Sequence, residues 1–158
     1  MQGQLDRNAM APLNPDCDAK LAGGGTLVAV NVLIVDDSPF ARKVIHHNLD
    51  EYGCNVVGEA ENGLQAIAMF KKLKPNLVTL DVMMPAVEGI DSLAAFRAIR
   101  QEDPRAAILM VTSVPFERTR DTFMEEGALG YIIKPFNKYS FDQVRLRLTR
   151  LFPELDLR

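Results

Sequence analysis

An apolar run, Val32-Leu33-Ile34-Val35, ends directly on two acids, Asp36 and Asp37. Like charges held side by side destabilise each other, so a buried strand that stops on adjacent carboxylates calls for a cation between them. Three further apolar runs end on groups of related chemistry. Leu77-Val78-Thr79-Leu80 leads to Asp81, Ile108-Leu109-Met110-Val111 to Thr112 and Ser113, and Tyr131-Ile132-Ile133 to Lys134 and then Pro135. Clustered carboxylates suit Mg²⁺, with Mn²⁺ as a substitute, because Mg²⁺ takes one or two carboxylates, keeps several waters and accepts phosphate oxygens. A carboxylate can also attack phosphorus and become an aspartyl phosphate. A lysine and a divalent metal would neutralise the oxygens of the transferring group, and a threonine hydroxyl can donate to one of them. The set as a whole suits phosphoryl transfer onto an acid.

These residues must be brought together by the elements that carry them. Strand-length apolar runs occur at 31–35, 55–60, 77–80, 107–111 and 130–133. Helix-length segments alternate with them. The segment 39–52 puts Ala41, Val44, Ile45, Asn48, Leu49 and Tyr52 on one stripe, with Ser38 as N-cap, Pro39 in the first turn and Gly53 as the stop. The others are expected at 62–73, capped by Asn62, at 89–102, at 116–126 and at 140–152. Strict β-α alternation implies a parallel sheet with helices on both faces, and five units are too few for an eight-stranded barrel. The expected fold is therefore an open, flavodoxin-like α/β sheet. Its strand order 2-1-3-4-5 is taken over from that fold class. In such sheets ligands bind at the carboxyl ends of the strands, which is where the acids, the hydroxyl and the lysine stand.

The bulk composition agrees with one folded unit. The chain has 158 residues, is 47% hydrophobic and carries a net charge of −3, with no basic stripe of the kind that binds nucleic acid. Cys17 and Cys54 form no CxxC pattern, so neither a disulfide framework nor zinc is expected, and the reading is cytoplasmic. The longest apolar stretch, 27–35, is far shorter than the roughly 20 residues of a membrane span. Residues 1–27, broken by Pro12, Pro15 and Gly23-Gly24-Gly25, are expected to be a disordered N-terminal extension; residues 28–152 form the domain, and 153–158 a short tail with no output domain.

The acidic pair Asp36-Asp37, the run Asp81-Val82-Met83-Met84-Pro85, the pair Thr112-Ser113 and the run Lys134-Pro135-Phe136 resemble, in order and in place, the receiver domain of two-component response regulators. The resemblance spans about residues 31–152 and implies a CheY-like phosphorylation switch. By it, Asp81 is the phosphoacceptor, Asp36 and Asp37 hold Mg²⁺ together with Asp81 and the backbone carbonyl of Met83, and Asp37 is the more direct ligand. Lys134 contacts the phosphoryl group, Thr112 is the switch hydroxyl, Tyr131 the switch aromatic, and the Lys134–Pro135 peptide is cis, which X–Pro bonds tolerate. Implied partners are a sensor histidine kinase or phosphotransfer protein and a downstream protein target. The surface of the fourth helix, fifth strand and fifth helix would answer phosphorylation and could form a homodimer. No nucleic acid is bound directly and no membrane entered. The chain departs from the family at Glu88, where aspartate is usual, with Gly89 as the turn-critical residue. It also has Met83 and Val114 at the positions that flank the hydrolytic water's path. Neither side chain can polarise that water, so slow self-dephosphorylation is expected.

Each feature also has a plainer reading. Asp81 alone could cap a helix or turn, Asp36-Asp37 the first helix and Thr112-Ser113 the fourth; Lys134 alone could be a solvated lysine, and Tyr131 alone could simply pack. His46 and His47 read as surface histidines, since no acid is placed beside them by spacing. Arg145, Arg147 and Arg150 form either a partner face or a solvated one, and Met83, Met84 and Met110 read as packing. An aspartyl-nucleophile phosphatase would need a second acid where Met83 stands. A flavin-binding protein would need a phosphate loop where Asp36-Asp37-Ser38-Pro39 would repel the phosphate.

Overall fold

The computed structural model describes residues 29–113 and 117–153. The expected extension over 1–27, Val114 and the tail from 154 onward lie outside the described residues. The apolar runs become five strands: β1 (Asn31–Val35), β2 (Asn55–Ala60), β3 (Leu77–Asp81), β4 (Ala107–Thr112) and β5 (Gly130–Ile133). Between and after them stand α1 (Pro39–Glu51), α2 (Gly63–Leu73), α3 (Ser92–Glu102), α4 (Glu117–Glu125) and α5 (Lys138–Leu151). All strand pairs are parallel and the order is β2-β1-β3-β4-β5.

Period-two alternation splits the core into two layers. Val32 and Ile34 face α1 and α5, packing with Ile45, Leu49, Phe141, Val144 and Leu148. Leu33 and Val35 face α2, α3 and α4, packing with Phe70, Phe96, Ile99 and Phe123. With both faces covered, the central strands β3 and β4 are buried along their whole length and mostly apolar, with Thr79 the one polar residue inside β3. β2, at the edge, is only partly buried. One irregularity matters later. Val32 pairs with Val56 but Leu33 pairs with Gly58, so Val57 is an extra residue in β2 and Glu59 comes to stand opposite Ile34, on the α1 side.

Helix starts follow local side-chain chemistry. Ser38 caps α1 by accepting from Ala41 N–H at 3.3 Å, and Asn62 caps α2 by accepting from Gln65 N–H at 2.9 Å. Two starts differ from the sequence expectation. The third helix begins at Ser92 rather than Gly89, because Asp91 is its cap, accepting from Ala94 N–H at 2.8 Å. The fifth begins at Lys138 rather than Ser140, because Asn137 and Ser140 form a reciprocal capping box. Elsewhere, Met84 and Met110 are buried as packing, but Met83 is 51% exposed. The three arginines of α5 do not share one solvated face: Arg147 Nη1 donates to the Leu129 carbonyl at 2.8 Å and ties the helix to the segment entering β5. Among the described residues no helix is long and apolar enough to cross a membrane.

The residues before α3 form a tight turn instead of a helix. Val87 and Ile90 exchange backbone hydrogen bonds of 3.2 and 2.9 Å, and the two residues between them, Glu88 and Gly89, have φ of 51° and 77°. Two successive left-handed residues are the signature of a type I′ turn, which favours Asn-Gly. Glu88 is therefore in a conformation that costs a residue with a Cβ roughly 1–2 kcal/mol, and asparagine pays less of it. Glu88→Asn should stabilise the protein by about 0.5–1 kcal/mol, read as a higher urea midpoint at unchanged slope. An equal or lower midpoint would show that the Glu88 side chain makes a compensating contact.

Candidate functional site

Strand register assembles the site. β1 and β3 pair Val35 with Leu80, so Asp36 and Asp81 follow side by side, both on the α1–α5 side of the sheet. β4 and β5 pair Thr112 with Ile133, so Lys134 follows beside the end of β4, and its N–H donates to the Thr112 carbonyl at 2.7 Å. The next peptide, Lys134–Pro135, is cis.

The lysine side chain reaches back to both acids. Lys134 Nζ lies 2.6 Å from Asp36 Oδ2 and 3.2 Å from Asp81 Oδ2. Asp36 is wholly buried, and Asp81 nearly so; Asp37 is exposed at the rim. One carboxylate oxygen from each of the three lies within 4.8 Å of the others. Backbone amides fix two of these carboxylates: Ser38 N–H donates to Asp36 Oδ1 at 2.9 Å and Met83 N–H to Asp81 Oδ1 at 3.0 Å.

The electrostatics follow from burial. Asp81 is raised above the ordinary carboxylate range, first by desolvation and also by the Asp36 charge, against the Met83 N–H and Lys134, which act to lower it. For Lys134, burial alone would lower the ammonium, but its contacts with Asp36 and Asp81 outweigh that and the net direction is upward. One ammonium thus faces three carboxylates. Two uncompensated negative charges and an all-oxygen donor set fit a hard divalent cation such as Mg²⁺.

The remaining sequence candidates are placed less directly. Thr112 is wholly buried at the end of β4, between the strands that carry Asp81 and Lys134. Tyr131 is half-buried and packs at the margin of the opposite layer, the one that holds Phe123 and Met124 of α4. His46 and His47 are surface residues, but acids do stand beside them: His46 Nδ1 is 3.0 Å from Glu59 Oε1 and Nε2 is 3.6 Å from Asp50, while His47 is 3.6 Å from Glu51. The i,i+4 acids were available to sequence reasoning; Glu59 was not, since it comes from β2.

Two supporting residues were missed. Ser92 Oγ, buried at the first turn of α3, donates to the Asp81 carbonyl at 2.6 Å. Arg42 Nη1 donates to the Asp36 carbonyl at 2.8 Å. Each holds the backbone of a site residue rather than its side chain, and a contact to backbone leaves no mark in a motif.

Comparisons with known proteins bear on the family and the fold. The family model described as "Response regulator receiver domain" matches residues 32–144. The chain is 40% identical to the chemotaxis protein CheY of Halobacterium salinarum over 113 residues, covering 72% of this chain and 91% of that protein. It is 41% identical to the protein CcdB of Bacillus subtilis over 107 residues, covering 68% and 87% respectively. Among solved structures, the crystal structure of a CheX–CheY–BeF3–Mg complex from Borrelia burgdorferi is similar with a TM-score of 0.67 and 29% identity, over 78% of this chain and 89% of that one.

The raised Asp81 carboxyl has a consequence for stability. A carboxylate whose folded value lies above its unfolded value gives a penalty absent below the unfolded value, growing as pH rises between the two, and full above the folded value. Without divalent cations at neutral pH, Asp81→Asn should therefore melt a few degrees higher than wild type, roughly 1 kcal/mol for a domain of this size. The gain should vanish below the ordinary carboxylate range, and Mg²⁺ should narrow it by stabilising wild type. A lower melting temperature for Asp81→Asn at neutral pH would show that the Lys134 and Met83 contacts outweigh burial.

Proposed function

We propose a function from one premise: the chain belongs to the response regulator receiver family, whose members are phosphoacceptor modules of two-component signalling. In the reading argued here, Asp81 accepts a phosphoryl group from a phosphohistidine on a histidine kinase or phosphotransfer protein, and the product controls a downstream protein. The observation that carries the reading is the meeting of three carboxylates and one ammonium where β1, β3 and β5 end.

A carboxylate oxygen of Asp81 forms the new P–O bond while the P–N bond to the donor imidazole breaks, and the electron pair of that bond stays with the imidazole. Asp36, Asp37, Asp81 and the Met83 carbonyl would hold Mg²⁺, which when bound supplies positive charge to the phosphoryl oxygens. The Met83 N–H holds one Asp81 oxygen, leaving the other, now paired with Lys134, as the nucleophile. Lys134 is already between the two strands, so it can follow the charge onto the phosphoryl group without leaving the site.

The readout is a shift between two packings. Thr112 would turn its hydroxyl toward the phosphoryl group, and Tyr131, at the margin of the α4 layer, would fill the space released. The α4–β5–α5 surface would change with them and be read by a protein partner or a second copy of the chain. The cellular setting consistent with a phosphohistidine donor and the free thiol of Cys54 is the cytoplasm.

Incubation with acetyl phosphate and Mg²⁺ should add one phosphoryl group to wild type and none to Asp81→Asn, by intact-protein mass spectrometry. No adduct on wild type, or an equal adduct on Asp81→Asn, would contradict the assignment. Once formed, the phosphorylated protein should persist for minutes or longer with Mg²⁺ alone. The apolar, 51% exposed Met83 offers the hydrolytic water no polar group. Decay within seconds would show that another group activates that water.

A further inference from the structure

The cation half of the site is braced from outside by a chain of charged contacts that starts at the sheet edge. Arg42, in the second turn of α1, has a side chain only 11% exposed. Its guanidinium donates two hydrogen bonds of different kinds. Nη1 donates to the backbone carbonyl of Asp36 at 2.8 Å. Nε donates to Glu59 Oε2 at 3.0 Å. Glu59 is in turn held by His46, whose Nδ1 lies 3.0 Å from Oε1, and its carboxyl sits below the ordinary range, first through His46 and against its own partial burial, with Arg42 adding to the effect. Arg42 Nη2 also lies 3.9 Å from Glu61. The extra residue Val57 in β2 is what turns Glu59 onto the α1 side.

The Asp36 carbonyl belongs to the peptide that joins Asp36 to Asp37. Fixing its direction fixes the plane from which the Asp37 Cα leaves. Asp37 is the exposed member of the carboxylate cluster, and among the described residues no hydrogen bond to its carboxylate is found. The orientation of its carboxylate thus depends on the backbone, and the backbone is held by Arg42. A planar guanidinium suits this, because its fork binds two acceptors in a fixed relation.

We propose that Arg42 is a positioning residue for the divalent cation, clamped by Glu59 so that its guanidinium holds the Asp36–Asp37 peptide in the cation-binding orientation. The proposal rests on the cation reading given above. It makes a prediction of opposite sign to simple electrostatics. Arg42 is a positive charge beside a cation site, so its removal should by Coulomb attraction alone tighten Mg²⁺ binding. If it positions the peptide, its removal weakens binding. Loss of a group that orients metal ligands commonly lowers affinity about 10–100-fold; acting here through one peptide, Arg42 should fall at the low end.

The test is calorimetric titration of Mg²⁺ into the full chain at fixed ionic strength, for wild type, Arg42→Met, Arg42→Lys and Glu59→Gln, each checked for folding by its melting transition. Arg42→Met should raise the Mg²⁺ Kd about tenfold. Arg42→Lys keeps the charge without the fork and should also weaken binding, by about three- to tenfold. It keeps the test open should the methionine variant fail to fold. Glu59→Gln, at the surface, should weaken binding about threefold through a looser Arg42. A folded Arg42→Met or Arg42→Lys protein that binds Mg²⁺ as tightly as wild type, or more tightly, overturns the positioning role. Wild type that binds no Mg²⁺ would instead overturn the cation reading.

Discussion

The structure is organised around an electrostatic conflict. Parallel register places Asp36 and Asp81 on neighbouring strand ends, on one side of the sheet and nearly out of solvent, and the chain supplies one ammonium to hold them. Two buried carboxylates sharing one lysine already leave one negative charge uncompensated, and Asp37 raises the deficit to two. An excess of negative charge at the end of a rigid sheet favours whatever brings cations, and it makes the site sensitive to the arrival of a phosphoryl group and its counter-ion.

Around that conflict the fold is otherwise conventional in its physics. Two apolar layers cover the sheet, so the strand ends cannot drift apart without disturbing a close-packed core. The held backbone groups near the site act in the same direction. Ser92 fixes the Asp81 carbonyl, Arg42 the Asp36 carbonyl, and the Thr112 carbonyl takes the Lys134 N–H. Each anchors a strand end from a neighbouring element, so the rigidity of the site comes from the helices and the adjacent strand as much as from the sheet. Tyr131 packs at the margin of the layer that covers the other face.

Much of this was legible in the residues. The four apolar-to-polar transitions at Asp36, Asp81, Thr112 and Lys134 mark strand ends because the buried parallel strands before them are largely apolar and such sheets carry their site chemistry at the strands' carboxyl ends. Helix caps at Ser38 and Asn62 were legible for the same local reason: the capping side chain is next to the amide it satisfies. What sequence did not reveal depends on partners distant in the chain or on backbone conformation. The sequence puts the start of α3 at Gly89, whereas the positive φ of Glu88 and Gly89 makes a turn there and Asp91 caps the helix. Met83 was read as packing and is exposed, because the loop after β3 turns it outward. The extra residue in β2, which brings Glu59 to Arg42 and His46, has no local signature.

The central claim is that the carboxylate cluster is built to receive a cation and a phosphoryl group together. If so, the two ligands must favour each other, and by linkage each must tighten the other by the same factor. The direct measurement is a Mg²⁺ titration of the full chain with and without beryllofluoride, together with the reciprocal titration. The account predicts that Mg²⁺ binds measurably alone, binds at least several-fold tighter with beryllofluoride present, and that beryllofluoride binds weakly or not at all without Mg²⁺. Equal Mg²⁺ affinity in the two conditions would contradict it.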